Sequence, residues 1–183
     1  MNPVRILAVS GSLRARSLNT ELLVAAAQIA PGQFAVAPFT ELADLPHFNP
    51  DLDKQGSRPP AAVARLKTQL AESDALLISS PEYAHGVPGA LKNALDWLVS
   101  GEEMPGKPVG LLTASGVSQH APAALVEILR TMSASVVPGA VRVVPLGGRP
   151  LDASAILSMP ALVGEIRLAL EALADAVMAR RAE

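Results

Sequence analysis

Near its start the chain reads Val4-Arg5-Ile6-Leu7-Ala8-Val9 and runs straight into Ser10-Gly11-Ser12-Leu13-Arg14-Ala15-Arg16-Ser17-Leu18-Asn19-Thr20. The first six residues are a short apolar run of the kind that makes a strand buried on both faces. Beyond the polar segment, Leu18, Leu22, Leu23, Ala26 and Ile29 fall on one stripe of a helix. Strand, small polar loop and helix, in that order, put the loop at the carboxyl end of a strand. Open α/β sheets bind their ligands there.

The loop has the chemistry of a phosphate cradle. Ser12, Ser17 and Thr20 offer hydroxyls, Arg14 and Arg16 offer planar cationic forks, and Gly11 lets the backbone approach closely. The helix that follows presents free N–H groups and the positive end of its dipole to the same place. No Gly-Lys-Ser/Thr follows, and the spacing is not Gly-x-Gly-x-x-Gly, so neither a nucleoside triphosphate nor a dinucleotide pyrophosphate is indicated directly. The alternative is a plain strand–helix connection in which Ser17 or Asn19 only caps the helix. The loop taken alone leaves both readings open.

Composition narrows the class. A chain of 183 residues reads as one domain, 1–183, long enough for a three-layer core. Half its residues are hydrophobic but only 3% are aromatic, which fits an α/β protein packed with aliphatic side chains. A net charge of -2 lacks the basic excess of a nucleic-acid binder. The absence of cysteine excludes disulfides, thiol nucleophiles and iron–sulfur ligation. The N-terminus shows no signal-peptide hydrophobic segment, and no apolar run reaches the length of a membrane span. A cytoplasmic protein with no membrane partner is expected. His47, His85 and His120 are far apart in sequence and lack H-E-x-x-H spacing, so no metal site is expected.

Strand and helix patterns then alternate. Residues 33–38 read as a short second strand, and 40–60, rich in Pro, Asp and Asn, as a long surface excursion. In that excursion Leu42, Leu45, His47 and Phe48 are candidates to cover an apolar surface. Residues 60–73 form an amphipathic helix on Val63, Leu66 and Leu70, and 74–79 a second doubly buried strand. A loop punctuated by two prolines and two glycines follows, then a helix over 90–99, a strand over 107–113 and a helix over 121–133. Val136-Val137 precedes a last strand at 140–145. Residues 146–158 read as a Gly- and Pro-bearing connection into a closing helix from 160 to about 180. The order predicts an α/β fold with a doubly wound parallel sheet of about five strands and helices on both faces, a three-layer sandwich.

Three strand-end loops, after residues 9, 79 and 113, should meet along one edge of that sheet. The first carries the phosphate chemistry. The second, with Pro81, Gly86, Pro88 and Gly89, holds backbone N–H groups in fixed directions, with Tyr83 as an aromatic wall. The third, Ala114-Ser115-Gly116-Val117-Ser118-Gln119-His120, is small and polar. One phosphate beside a flat heterocycle held by backbone amides is the shape of a flavin mononucleotide (FMN) site, which flavodoxin-type folds place between their first and third strands.

Gly11-Ser12-Leu13-Arg14-Ala15-Arg16-Ser17-Leu18-Asn19 resembles the Gly-Ser-x-Arg-x-x-Ser-x-Asn signature of the NADPH-dependent FMN reductase family, which includes quinone, chromate and azo-dye reductases on a flavodoxin-like fold. Pro81-Glu82-Tyr83, Gly86, Pro88-Gly89, Leu91-Lys92-Asn93-Ala94 and Asp96-Trp97-Leu98 resemble its second signature. The resemblance covers nearly the whole chain. It implies that Ser12, Arg14, Ser17, Asn19 and Thr20 hold the FMN phosphate. Pro81, Glu82, Tyr83, Ala84, His85 and Gly86 would lie along the isoalloxazine, mostly through main-chain groups, with Ser115 and Gly116 on its other side. Two positions depart from the family pattern: Ala84 stands where an Asn usually follows Glu-Tyr, and the third loop lacks a Gly-rich run.

No catalytic side chain is expected, because the flavin carries the chemistry. The resemblance implies ping-pong transfer of a hydride from NADPH or NADH through FMN to small-molecule acceptors: quinones, azo compounds, metal oxyanions or free flavin. It also implies a homodimer or homotetramer. Arg16 reads as exposed or as reaching the dinucleotide, and His85 as a pocket-lining residue. Glu82 reads as a hydrogen-bonding residue within its own loop or across a subunit boundary. Trp97 reads as core or interface, and Lys92 and Asp96 as an i,i+4 pair. The competing reading is a flavodoxin-like electron carrier without turnover of its own, although the near-neutral charge and the single Tyr and Trp favour the reductase.

Overall fold

The structure, a computed structural model, describes residues 3–29, 32–54, 56, 58–115, 117–147 and 151–182. Five parallel strands form one sheet in the order β2-β1-β3-β4-β5: β1 (Val4–Ser10), β2 (Phe34–Phe39), β3 (Ala75–Ser79), β4 (Pro108–Thr113) and β5 (Ser135–Val143). This is the flavodoxin-like order. The apolar runs of β3 and β4 are buried at every position, whereas β2 and β5, at the two edges, are partly exposed.

Successive side chains of a strand point to opposite faces, and β1 shows the consequence. Ile6 and Ala8 join the core formed with α1 (Leu18–Gln28), α5 (Ala153–Leu157) and α6 (Pro160–Ala182). Leu7 and Val9 join the core formed with α2 (Ala61–Glu72), α3 (Gly89–Asp96) and α4 (His120–Thr131). Two helical layers on one sheet give the expected sandwich. Lys107, buried just ahead of β4, donates to the carbonyls of Leu70 (2.9 Å) and Ser73 (2.6 Å), a cation at the negative end of α2. Its burial pushes the ammonium pKa down.

Several elements differ from the sequence expectation, among them the helix expected over 90–99, which runs Gly89–Asp96. The second strand lies one residue later. Residues 135–143 form one strand across Pro138 and Gly139, because an edge strand loses nothing when a proline lacks its N–H, and the register shift between Val109 and Leu111 takes up the extra residues. The connection after residue 146 contains α5, whose N-cap Asp152 accepts the Ala155 N–H at 2.8 Å. Residues 148–150 of that connection lie outside the described residues.

The excursion between β2 and α2 carries two short 3-10 turns, Leu42–Asp44 and Pro50–Leu52. Leu42 and Leu45 are buried and Phe48 packs on the same core, while His47 is exposed. Asn93 of α3 clamps this segment at both ends of its amide: Oδ1 accepts the Phe48 N–H at 2.7 Å and Nδ2 donates to the Pro46 carbonyl at 2.9 Å. Trp97, fully buried, donates Nε1–H to the same carbonyl at 2.8 Å and meets the Phe48 ring edge-on at 5.1 Å. Lys92 and Asp96 pair along the helix at 2.5 Å. Asn93 and Trp97 thus hold the excursion in place at Pro46 and Phe48.

Candidate functional site

Strands β1, β3 and β4 are neighbours in the middle of the sheet, so the loops at their carboxyl ends lie side by side. The chain leaves β1 for β2 on one side and returns to β3 on the other. The first loop therefore sits at the topological switch point.

Gly11 donates its N–H to the Ser79 carbonyl at 2.8 Å. A Cβ on Gly11 would come within 2.5 Å of Ser80 Oγ, so the glycine is required by contact between the first two loops as well as by any ligand. Ser10 Oγ accepts the Ser12 N–H at 3.3 Å and the Thr20 hydroxyl at 2.9 Å, which curls the loop over the start of α1. Ser12 Oγ in turn accepts the Arg14 N–H at 3.3 Å.

Ser17 holds the N-cap position in extended backbone, and its carbonyl accepts the Glu21 N–H at 2.9 Å. Its buried side chain makes no capping hydrogen bond, so helix capping does not account for the hydroxyl. Asn19 is turned inward, its Oδ1 accepting the Ser79 hydroxyl at 3.0 Å. The N–H groups of Leu18, Asn19 and Thr20 open the helix and have no acceptor within it. Arg14 is exposed and has no ion-pair partner among the described residues. Free helix N–H groups, an uncommitted serine hydroxyl and an unpaired guanidinium are together the donor set that fits a phosphate monoester. Ser12, Arg14 and Thr20 also line a cavity of about 450 Å³ that runs towards β2, walled by Leu23, Val36 and Phe39.

The second loop closes on itself. Tyr83 donates to the Gly86 carbonyl at 3.1 Å and Gly86 donates back to Tyr83 at 2.9 Å. Between them Ala84 (φ 48°) and His85 (φ 58°) both take left-handed backbone, the conformation of a type I′ turn. The Tyr83 and Gly86 donors are used inside the turn, which leaves the N–H groups of Ala84 and His85 at its tip. Pro81, Glu82 and Gly86 are half-buried, while Tyr83, Ala84 and His85 are exposed.

Glu82 links the second loop to the third. Its Oε2 accepts the N–H groups of His120 (2.8 Å) and Ala121 (2.9 Å) at the start of α4. Those backbone donors, Ala121 first, hold its carboxyl below the usual carboxylate range. The bond leaves the loop but stays within the chain, which neither sequence expectation for Glu82 described. In the third loop half-buried Ser115 accepts the Val117 N–H at 3.4 Å through Oγ, and Gly116 lies outside the described residues. Folding also stacks the rings of His85 and His120, their centroids 4.3 Å apart and planes 7° from parallel.

Ser12, Arg14 and Thr20 of the first loop line one cavity and Ser17 lines another with Arg16, while Pro81, Glu82, Tyr83, Ala84, His85 and Gly86 form the second loop and Ser115 stands in the third. Sequence reasoning missed Ser10, Ser79, Ser80 and His120. Ser10, Ser79 and Ser80 end or leave buried strands, and a hydroxyl at such a position is the signal that marks them.

A family model described as NADPH-dependent FMN reductase matches residues 4–147. An NAD(P)H-dependent FMN reductase of Pseudomonas aeruginosa is 37% identical over 114 residues, 61% of this chain and 60% of its own length. A quinone reductase of Escherichia coli is 36% identical over the same shares. The chain spans about three fifths of the length of these curated relatives. Among solved structures, a flavoenzyme NAD(P)H:(acceptor) oxidoreductase from Paracoccus denitrificans superposes with a TM-score of 0.74 at 26% identity, over 95% of this chain and 97% of that one. A flavodoxin from the domain Archaea, 18% identical with a TM-score of 0.63 over 95% and 99% of the two chains, shares the fold.

Proposed function

The chain belongs to the NADPH-dependent FMN reductase family, and from that membership we propose that it is an FMN-dependent oxidoreductase that takes reducing equivalents from NAD(P)H and delivers them to quinones. The observation that carries this reading is the first loop. Among the described residues, its Ser17 makes no capping bond and its Arg14 has no ion-pair partner, and both stand in the loop that runs from the switch point into the open N-terminus of α1.

Ser12, Arg14, Ser17 and Thr20 would hold the FMN phosphate through side chains. Asn19, whose amide is engaged with Ser79, would contribute its backbone N–H. Pro81, Glu82, Tyr83, Ala84, His85 and Gly86 would line the ring, with the tip N–H groups of Ala84 and His85 as the available donors, and Ser115 would border the other side. Bound FMN supplies the hydride and electron transfer; orientation and access are what the chain provides. The exposed Tyr83 turn leaves that face open, so dinucleotide and acceptor would use it alternately, in ping-pong order. Azo compounds, metal oxyanions and free flavin are acceptors that such an open face admits.

Replacing Arg14 and Ser17 together with alanine tests the seat. The FMN dissociation constant should rise at least about tenfold, since a hydrogen bond to a charged group contributes roughly 1.5–3 kcal/mol. NADPH oxidation with a quinone should fall in parallel at limiting FMN. An unchanged dissociation constant would overturn the assignment.

A further inference from the structure

Outside the phosphate cradle, the densest group of metal-ligating side chains among the described residues is Glu82, His85 and His120. The three come from two different strand-end loops, and their donor atoms all lie within 4.8 Å of one another. Nothing in the spacing of residues 82, 85 and 120 suggests this; the fold assembles it.

We propose that Glu82, His85 and His120 form a binding site for a divalent first-row transition cation of the Zn2+ type, at the rim between the second and third loops. Two imidazoles and one carboxylate are the ligand set that borderline divalent cations select, over the all-oxygen sets of Mg2+ and Ca2+. The carboxylate is oriented in advance. Oε2 is fixed by the His120 and Ala121 N–H groups, and a carboxylate offers about four lone-pair positions, so capacity for a ligand bond remains.

The imidazoles are brought to the carboxylate by the same architecture. His120 is the first residue of α4, the helix whose start Glu82 binds, and His85 is delivered by the left-handed backbone of the Tyr83 turn. The rings are stacked with centroids 4.3 Å apart, which holds the two imidazoles beside the carboxylate with their lone pairs not yet convergent. Reaching the roughly 2.0–2.1 Å of a zinc–imidazole bond requires the two exposed side chains to rotate out of their stack until their lone pairs converge. The helix N-terminus would repel a cation, but the Glu82 carboxylate, which accepts the first N–H groups of that helix, stands against it. Three protein ligands on an exposed rim leave a coordination position for water or a small anionic molecule. None of the three side chains belongs to the phosphate cradle, while Glu82 and His85 lie in the turn proposed to line the flavin ring, so the titration is run on FMN-free as well as FMN-loaded chain.

The test uses the untagged full chain in both forms. Calorimetric titration with Zn2+ in a non-coordinating buffer should show one saturable equivalent. Co2+ should give the visible d–d absorption of a four- or five-coordinate site, at wavelengths beyond the flavin bands. His120→Gln and His85→Asn should each weaken binding at least about tenfold, the lower end of what losing even an outer-shell partner costs. Asparagine suits the left-handed backbone at position 85, so that variant should fold, and far-UV circular dichroism checks it. His47→Gln, at the exposed third histidine, should change nothing. Absence of saturable binding, or binding that survives the His85→Asn/His120→Gln double substitution, overturns the proposal. So does binding lost on His47→Gln.

Discussion

The residue with the clearest conflict between identity and backbone is Ala84. At φ 48° its Cβ is crowded in a conformation that costs an L-residue roughly 1–2 kcal/mol and that Asn visits far more readily. The two-residue span between the Tyr83 and Gly86 hydrogen bonds imposes that conformation whatever occupies it. This is a physical reason for the Asn that usually follows Glu-Tyr in the family. Ala84→Asn should therefore raise the unfolding free energy by about 1 kcal/mol, read from the urea midpoint at unchanged slope. Ala84→Val, β-branched at the same backbone, should lower it. If the two variants shift the midpoint in the same direction, turn strain is not what acts at this position. The strain is not legible in the sequence: prolines and glycines announce a turn here, but left-handed backbone falls on Ala84 and His85, neither of which advertises it.

At the scale of elements, α3 shows how a segment that looks like loose surface is held. Residues 40–60 offer no periodicity, and their composition marks them as a loop. What holds Pro46 and Phe48 lies 45 to 51 residues away in Asn93 and Trp97, a separation to which local pattern is blind. The same motif residues were visible as a family signature, yet only the fold reveals that they serve the excursion. Asn93→Ala would strip partners from the Phe48 N–H and one of two from the Pro46 carbonyl. A loss of about 1–3 kcal/mol is expected for leaving such groups unsatisfied. Limited proteolysis should then cut within the excursion well before the sheet. Cleavage unchanged from the parent would show that Trp97 and the buried Leu42 and Leu45 hold the segment without the amide. The β5 edge gives the converse case: Pro138-Gly139 reads as a break, and the ladder to β4 does shift register there but resumes at Val141, so one strand continues past it.

Across the whole molecule, one sheet divides two cores, and that division is legible because β1, β3 and β4 are apolar at nearly every position instead of alternating. The Glu82–His85–His120 cluster is not legible at all, since it depends on which loops the strand order makes neighbours. The two cores share their strands, Ile6 facing one and Leu7 the other, so the sheet is expected to couple their unfolding. Leu70 and Leu170, each fully buried, lie one in each core. Either one replaced by alanine should cost about 2–5 kcal/mol. With the sheet between them the two losses should add to within about 0.5 kcal/mol. Trp97 is the single tryptophan and lies in the core opposite Leu170, so its fluorescence reports one face while circular dichroism reports the whole. If the sheet couples the faces into one cooperative unit, Leu170→Ala moves both midpoints equally. A Trp97 midpoint that stays in place while the circular dichroism midpoint falls would mean that the two layers unfold separately.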